Sequence, residues 1–283
     1  MRYPKIILLF VFVAAFVLSG LAQDQRLIKR TTFKEDRLSF GVGGTISIIG
    51  APHGSIRVEG WNEREVEISA EIEVHASNES DIEKIAKVTG FVMDESLGRL
   101  SIVTVGTHDK KSLRKLDKRF PKQLYGLPFR VNYILRVPQY TDLVIDGGIG
   151  DLHISGVEGT LRVNFLDTNA DIELVGGGLL ANFGKGSVNI AIPTHSWRGR
   201  FADVQLASGE LALRLPRGLN ADFDATILRS GKINNGFEGF TPRVRKAVFT
   251  DSVISAKAGT GSIPLKFTVG DGNILITQFT PGG

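Results

Sequence analysis

A short phrase of hydrophobic and polar positions recurs along the middle of the chain. It consists of a glycine or alanine, a small polar residue, an aliphatic residue, any residue and a second aliphatic residue. Side chains two apart on a strand point to the same side, so each phrase predicts a turn followed by a short strand with one buried face. Glycine at the turn supplies a positive φ or a close backbone approach. Between residues 146 and 190 the phrase begins at Gly150, Gly159, Ala170 and Gly186.

The spacing of the phrases predicts how the strands stack. Gly186 and Gly209 are 23 residues apart, and Gly209 and Gly231 are 22 apart. The two phrases that begin at Gly150 and Gly159 together span 20 residues. A strand-and-turn repeat of this length is typical of a β-solenoid, in which each coil buries its apolar face against its neighbours. The predicted fold class is therefore all-β, a β-solenoid or β-helix-like chain with about 20–22 residues per coil. An antiparallel sandwich or barrel is the alternative, because short strands at a spacing of roughly 8–12 residues also suit those folds.

The segment before the dense repeats predicts more strands and one short helix. Residues 65–74 alternate acidic and apolar positions, which indicates a strand with one face in water. The pattern Ser80-Asp-Ile-Glu83 predicts a capping box and a helix that ends near Val88, after which strands resume at 90–93 and 100–105. The outward row of acids could bind a cation, but a solvated face that resists edge pairing is favoured. Its members are Glu65, Glu67, Glu71 and Glu73.

A basic insertion at residues 108–122 departs from the composition of the rest of the chain. Leu113, Leu116 and Phe120 have helical spacing within it, so we expect a basic amphipathic turn or two that contacts an anionic glycan or lipid surface, or another envelope protein. A solvated, mobile insertion between two strands is the interpretation that the sequence favours over such a contact. The candidate partner-binding residues are Lys110, Lys111, Arg114, Lys115, Lys118, Arg119 and Lys122.

The first residues predict export. Arg2 and Lys5 precede an apolar run at residues 6–18, and small residues follow, so residues 1–22 are predicted to be a signal peptide cleaved after Ala22. Retention as an uncleaved anchor is the alternative. The chain has no cysteine, which excludes a lipoprotein anchor and disulfides. We divide the mature chain into an N-terminal β region at 23–140 and the glycine-phrase region at 141–283, continuous as one domain.

The net charge gives no reason to expect nucleic-acid binding. The formal value of +4 falls to +2 when Arg2 and Lys5 are removed with the leader, and export argues against a nucleic-acid partner. We expect an exported protein of the periplasm, cell envelope or extracellular space, with self-association through strand edges.

No catalytic or cofactor-binding constellation is predicted. The histidines His53, His75, His108, His153 and His195 are scattered, which gives no metal site. The segment at Gly184-Lys-Gly-Ser lacks the spacing of a phosphate loop.

The rival class is a polysaccharide-acting β-helix enzyme, which would need two or three carboxylates in one groove. Turn and solvent-facing positions are the favoured explanation of its candidate carboxylates. They are Asp146, Asp151, Asp167, Asp171, Asp222 and Asp224.

Three stretches together resemble a known family. They are VNYILRVPQY from residue 131, GDLHISGVEGTLRV from residue 150 and LALRLPRGLNADFDATILRSGKI from residue 211. The chain resembles the bacterial putative-adhesin family, whose motifs are structural. The resemblance implies an exported, β-solenoid-like domain of the bacterial envelope and provides no catalytic residues to carry over. We therefore expect a non-enzymatic adhesin or surface interaction module that acts through extended sheet faces, or a structural or stress-related envelope component that binds anionic lipid.

Overall fold

The computed structural model describes residues 27–193, 198–245 and 249–279. The predicted signal peptide lies outside these residues. The described chain has two α-helices, α1 (Glu79–Val88) and α2 (Lys110–Leu116), and one 3₁₀ turn at Lys122–Leu124. Its strands are β1 Ile28–Ser39, β2 Thr45–Ile49, β3 Ile56–Trp61, β4 Glu65–Ala76, β5 Gly90–Ser96, β6 Arg99–Val105, β7 Phe129–Pro138, β8 Asp142–Ile149, β9 Leu152–Ser155, β10 Thr160–Glu173, β11 Gly176–Ala191, β12 Arg198–Pro216, β13 Ala221–Ser230, β14 Ile233–Asn235, β15 Phe240–Pro242, β16 Val253–Ala258 and β17 Ile263–Phe279.

The all-β prediction is confirmed, and the strands form one large mixed sheet of 17 members. Its central part is a parallel ladder in which β10 pairs with β8 and β9, β11 with β10, β12 with β11, and β17 with β12. Asn164 lies beside Asp146 and Asn182 lies beside Asn164, an offset of 18 in both cases. Between β11 and β12, Gly186 lies beside Gly209, so the offset between these two strands is longer, at 23 residues. The ladder therefore has no single repeat length, in contrast to the nearly constant spacing predicted from the glycine phrases.

The pairings divide the sheet into two rows of strands. The first row contains β5, β6, β2, β8, the first parts of β10, β11, β12 and β17, then β13, β16 and β15. The second row contains β1, β4, β7, β3, β9, the later parts of the same long strands, then β14. Buried apolar side chains from both rows belong to a single core cluster. Strands from both predicted regions, 23–140 and 141–283, pair directly, as β2 does with β8.

Glycines mark the corner at which the chain crosses from the first row to the second. Six of them have positive φ and lie next to one another across the strands, and a Cβ on any of them would come within about 2 Å of a carbonyl oxygen on the neighbouring strand. The predicted use of glycine at sharp corners is confirmed at these positions. They are Gly54, Gly150, Gly186, Gly209, Gly272 and Gly231.

One phrase was placed incorrectly by the sequence pattern. Ala170 was expected to begin a turn, but it lies within β10 and is buried in the core. The corner position of β10 is Thr168, which pairs with Gly186 of β11. Thr168 does not adopt a positive φ, so this strand turns without glycine, and the repeat spacing inferred from Ala170 was wrong.

The last strand does not occupy the last place in the sheet. β17 pairs in parallel with β12 on one side and with β13 and β14 on the other. On its other side β13 pairs antiparallel with β16, and β16 pairs antiparallel with β15. β17 is therefore last in the chain but lies inside the sheet, between β12 and the strands β13 and β14.

The predicted helix is confirmed with a different cap. α1 begins after Asn78, whose side-chain oxygen accepts a hydrogen bond from the Asp81 backbone N–H at 2.9 Å, so Asn78 and not Ser80 is the N-cap. Ile82, Ile85 and Val88 point into the core. The prediction of one helix was incomplete, because the basic insertion contains a second. Within the described part of the chain, neither helix is long and apolar enough to cross a membrane.

Candidate functional site

The basic insertion replaces one of the glycine corners. Between β8 and β9, only Gly150 and Asp151 carry the backbone from the first row to the second. In the turn that contains β6 and β7, residues 106–128 make the same crossing. β6 pairs with β2 and β7 with β3, so both ends of the insertion are fixed by the sheet. The paired strands therefore hold the basic segment at this corner of the sheet.

A short helix and three apolar anchors hold the insertion in place. Asp109 caps α2, because its carboxylate accepts hydrogen bonds from the backbone N–H groups of Lys111 and Ser112 at 2.9 and 3.1 Å. Leu113, Phe120 and Leu124 are buried in the core cluster. The predicted apolar role of Leu113 and Phe120 is therefore confirmed, whereas Leu116 has 55% of its surface exposed.

The basic side chains of the insertion are exposed and form no ion pairs with other described residues. The two nearby carboxylates accept hydrogen bonds from backbone N–H groups. Asp109 caps α2, and Asp117 accepts a hydrogen bond from the Arg119 backbone N–H at 2.8 Å. The positive charge is therefore not neutralised within the described structure. This applies to Lys110, Lys111, Arg114, Lys115, Lys118, Arg119 and Lys122.

Three of these cations converge on one pocket of about 490 Å³. Lys110 and Arg114 are four residues apart on α2 and therefore share a helix face, and Lys122 joins them from the 3₁₀ turn. The Lys110 Nζ lies 6.0 Å from the centre of the Tyr125 ring. Thr107, His108 and Gly126 complete the lining, whereas Lys111, Lys115, Lys118 and Arg119 are not part of it.

His108 is a member of the pocket that sequence reasoning did not assign. Its ring stacks on Phe129 with 5.2 Å between ring centres. Desolvation at this contact lowers the pKa of His108 below its usual value, although Asp109 acts in the opposite direction. The neutral imidazole adds a hydrogen-bonding group to the pocket. No spacing in the sequence could have indicated this, because Phe129 belongs to the strand beyond the insertion.

Replacement of His108 by glutamine should reduce the loss of stability in mild acid. The pKa of His108 is lower in the folded protein than in the unfolded chain, so as the pH falls below about 6.5 the unfolded chain takes up the proton first. Stability from this group is present above that pH and is lost below it. Melting temperatures at pH 7.5 and pH 5 test this, and an unchanged difference between the two values in the variant would contradict it.

The carboxylates considered for a polysaccharide-acting enzyme all have hydrogen-bond or charge partners in the described structure. Asp146 accepts a hydrogen bond from Asn164 at 2.8 Å and Asp151 from Asn169 at 3.1 Å. Each aspartate contacts an ordinary polar or basic neighbour, which favours the solvent-facing interpretation. The remaining contacts are Asp167 with Lys185 at 3.9 Å, Asp171 with His153 at 3.7 Å, and Asp222 and Asp224 with Arg243 at 3.8 and 3.0 Å.

The row of glutamates on β4 is engaged in ion pairs and hydrogen bonds. Arg37 of β1 contacts Glu65 and Glu67, while Arg136 of β7 contacts Glu67 at 3.5 Å. Hydrogen bonds from Lys29 and His75 lower the pKa of Glu73. β4 lies between β1 and β7 and is not a sheet edge, so edge protection does not explain its acids.

The described ranges contain no candidate metal site. No group of three or more histidine and acidic side chains is placed to hold an ion there. His195 lies outside the described residues.

Comparison with known proteins gives structural likenesses only. No protein-family model and no curated protein sequence matches the chain. A putative cell adhesion protein from Clostridium sporogenes ATCC 15579 is similar in structure, with a TM-score of 0.43 and 17% identity over 87% of this chain and 100% of that one. A putative adhesin from Bacteroides fragilis NCTC 9343 gives 0.33 and 12% over 87% and 97%. A putative lipid binding protein from Parabacteroides distasonis ATCC 8503 gives 0.25 and 11% over 87% and 96%. Values this low define neither a family nor a function for this chain.

Proposed function

We propose that this chain is a non-enzymatic, exported interaction module of the bacterial envelope, and that its basic insertion binds the anionic head groups of a lipid surface. The observation that carries the proposal is the set of unpaired cations held at one corner of the sheet. Three of them surround a pocket wide enough for a phosphate group, and the other four extend the positive surface around it. Parallel stacking of β8, β9, β10, β11, β12 and β17 supports the further proposal that this part of the sheet is a β-solenoid segment.

The arrangement suits a surface more than a single small anion. α2 and the 3₁₀ turn are anchored by buried apolar side chains, so the cations lose little conformational freedom of the backbone on binding. A basic residue near an anionic membrane contributes about 1 kcal/mol, and this contribution falls off within a Debye length. Seven such residues can therefore hold the protein on a membrane without insertion into the lipid core.

Charge reversal at four positions of α2 should abolish the binding. The variant replaces Lys110, Lys111, Arg114 and Lys115 with glutamate, and the expected loss of about 4 kcal/mol corresponds to roughly a thousandfold weaker association. The measurement is co-sedimentation of the mature chain from Gln23 with vesicles that contain phosphatidylglycerol. The same vesicles in high salt should release the native chain.

A matched control separates the site from net charge. Glutamate at Lys87, Arg99, Arg162 and Lys232 changes the net charge by the same amount at exposed positions away from the insertion, and this variant should bind almost as well as the native chain. Equal binding by both variants, or binding to vesicles of phosphatidylcholine alone, would reject the proposal. Retention on an acidic polysaccharide such as alginate, without retention on anionic vesicles, would identify a glycan as the source of the anions.

A further inference from the structure

The edge strands at the two ends of the sheet differ greatly in length. Of the edge strands in the described part of the chain, β1 has 12 residues and β5 has 7, whereas β14 and β15 have 3 each. β1 pairs with β4 along one side, and no described strand pairs with its other side. Native sheets avoid edge-to-edge pairing through short edge strands and proline, as β15 does with Pro242. β1 instead leaves a long row of backbone N–H and C=O groups open.

β1 contributes little to the core of its own chain. Ten of its twelve residues are exposed, and none of its apolar side chains is buried. Phe33 lies near the middle of the strand with 71% of its surface exposed, and Ile28 at its start is also exposed. Ordering such a strand costs conformational entropy without apolar burial to offset it. A second strand against the open edge would cover part of these apolar side chains.

Two carboxylates on β1 have no cation to pair with. Glu35 and Asp36 are exposed, and no cation of the described residues lies within ion-pair distance of either. Asp36 accepts a hydrogen bond from the adjacent Arg37 backbone N–H at 2.9 Å. By contrast, Lys29 and Arg37 pair with glutamates of β4. The Asp36 carboxylate can therefore bind a cation that approaches from outside the chain.

A second copy of the chain provides that cation in one antiparallel arrangement. Two copies of β1 can pair about a two-fold axis perpendicular to the sheet, which keeps the outer faces of both copies on the same side. With the axis at Phe33, residues equally distant from it lie opposite each other. Arg30 then faces Asp36 of the second copy. Ile28 faces Leu38, and the two Phe33 rings face each other on the axis. Opposite charges and apolar pairs across adjacent strands are stabilising.

Charge favours this register over its neighbours. With the axis at Thr32, Arg30 would face Lys34 of the second copy, and with the axis at Lys34 two lysines would face each other. Like charges directly opposite each other destabilise a strand pair. In the favoured register the like-charged pair is Lys29 with Arg37, and both are already paired with glutamates of β4.

Arg30 can bind a second carboxylate without losing its present one. Its guanidinium contacts Glu79 of α1, and five N–H donors allow one guanidinium to bind two carboxylates. The side chain is half-buried, so it is already held beside the open edge. An ion pair with Asp36 of a second copy therefore costs little side-chain entropy.

We infer that the open edge of β1 binds a second copy of this chain, antiparallel, with Phe33 on the two-fold axis. Backbone hydrogen bonds join the two strands, as in strand addition to other exposed sheet edges, and the two Arg30–Asp36 ion pairs set the register. The second rows of the two copies become one continuous sheet. This inference goes beyond lipid binding and does not depend on it, since β1 and the basic insertion share no residue.

Sedimentation equilibrium of the mature chain from Gln23 tests the inference. At about 0.1 mM the native chain should be largely dimeric. Arg30→Asp and Asp36→Arg each place like charges at both symmetric contacts, and each should weaken the dimer at least about tenfold. A native chain that stays monomeric at this concentration would overturn the inference.

An equimolar mixture of the two variants is the decisive sample. The introduced aspartate of one chain then lies opposite the introduced arginine of the other, and the native Asp36 and Arg30 face each other at the second contact. The mixture should dimerise within about threefold of the native affinity, although each variant alone dimerises weakly. A mixture no more dimeric than its components would reject this register and the inference with it.

Two controls separate the contact from net charge and from folding. Glu210→Arg makes the same charge change as Asp36→Arg at an exposed position of β12, and it should dimerise within about twofold of the native affinity. Equal weakening by these two variants would contradict the inference. All variants should keep the native urea transition, because β1 has no buried apolar side chain. The charge-reversed α2 variant should dimerise normally, so failure of lipid binding and failure of dimer formation are distinguished.

Discussion

Replacing Gly209 with alanine should lower the free energy of unfolding by about 3–5 kcal/mol. Gly209 has a φ of +138°, and an added Cβ would lie 1.9 Å from the Gly186 carbonyl oxygen. The positive φ costs an alanine about 1–2 kcal/mol, and forcing two paired strands apart in a packed structure adds about 1–3 kcal/mol. Neither strand can move freely, because Gly186 and Gly272 lie in contact on either side. Urea unfolding followed by circular dichroism measures the change.

Two other glycines separate the contributions to this effect. Gly98 has a φ of +69° with nothing within 4 Å of an added Cβ, so Gly98→Ala should cost only the backbone strain of about 1–2 kcal/mol. Gly41 has neither a positive φ nor a close neighbour, and Gly41→Ala should be nearly neutral. A Gly209 variant as stable as the Gly98 variant would show that the strands at the Gly186, Gly209 and Gly272 corner are not closely packed.

The corner glycines show how far the sequence could predict the fold. Alternating polar and apolar positions indicate strands wherever one face is buried, and glycine before a strand indicates a turn. Both inferences held at Gly150, Gly186 and Gly209. At Ala170 the same pattern was matched by residues inside a strand, because the corner of β10 is occupied by Thr168 and no glycine marks it. The pattern could not distinguish a corner from the middle of a strand at that place.

The strand order and the basic pocket could not be predicted from the sequence for a different reason. The basic insertion was evident from composition, but the grouping of Lys110, Arg114 and Lys122 depends on the turn at Phe120 and Leu124, which brings a later segment back to α2. Which residues lie side by side on a sheet face depends on which strands are neighbours. Gln205 and Thr268 stand side by side only because β17 lies next to β12, and local periodicity contains no information about that pairing.

A chain that ends at Gly261 should therefore fail to fold cooperatively. The truncation removes β17, which separates β12 from β13 and contributes five side chains with no more than 1% of their surfaces exposed. Loss of one large buried side chain costs about 2–5 kcal/mol, so loss of all five exceeds the total stability of about 5–15 kcal/mol of a typical domain. The five residues are Leu265, Phe267, Val269, Ile274 and Ile276.

Removal of β1 from the other end of the chain is the matched control. β1 is 12 residues long, pairs only with β4 among the described strands and contributes no buried apolar side chain. A chain that begins at Phe40 should keep a cooperative urea transition and dispersed amide resonances, while the chain that ends at Gly261 should show neither. If the C-terminal truncation retained a cooperative transition, β12 would have to pair directly with β13 in its place, since an inward face of that length cannot remain exposed to water. Such a result would mean that the placement of β17 is dispensable and that the stacking order of the sheet can follow the order of the chain.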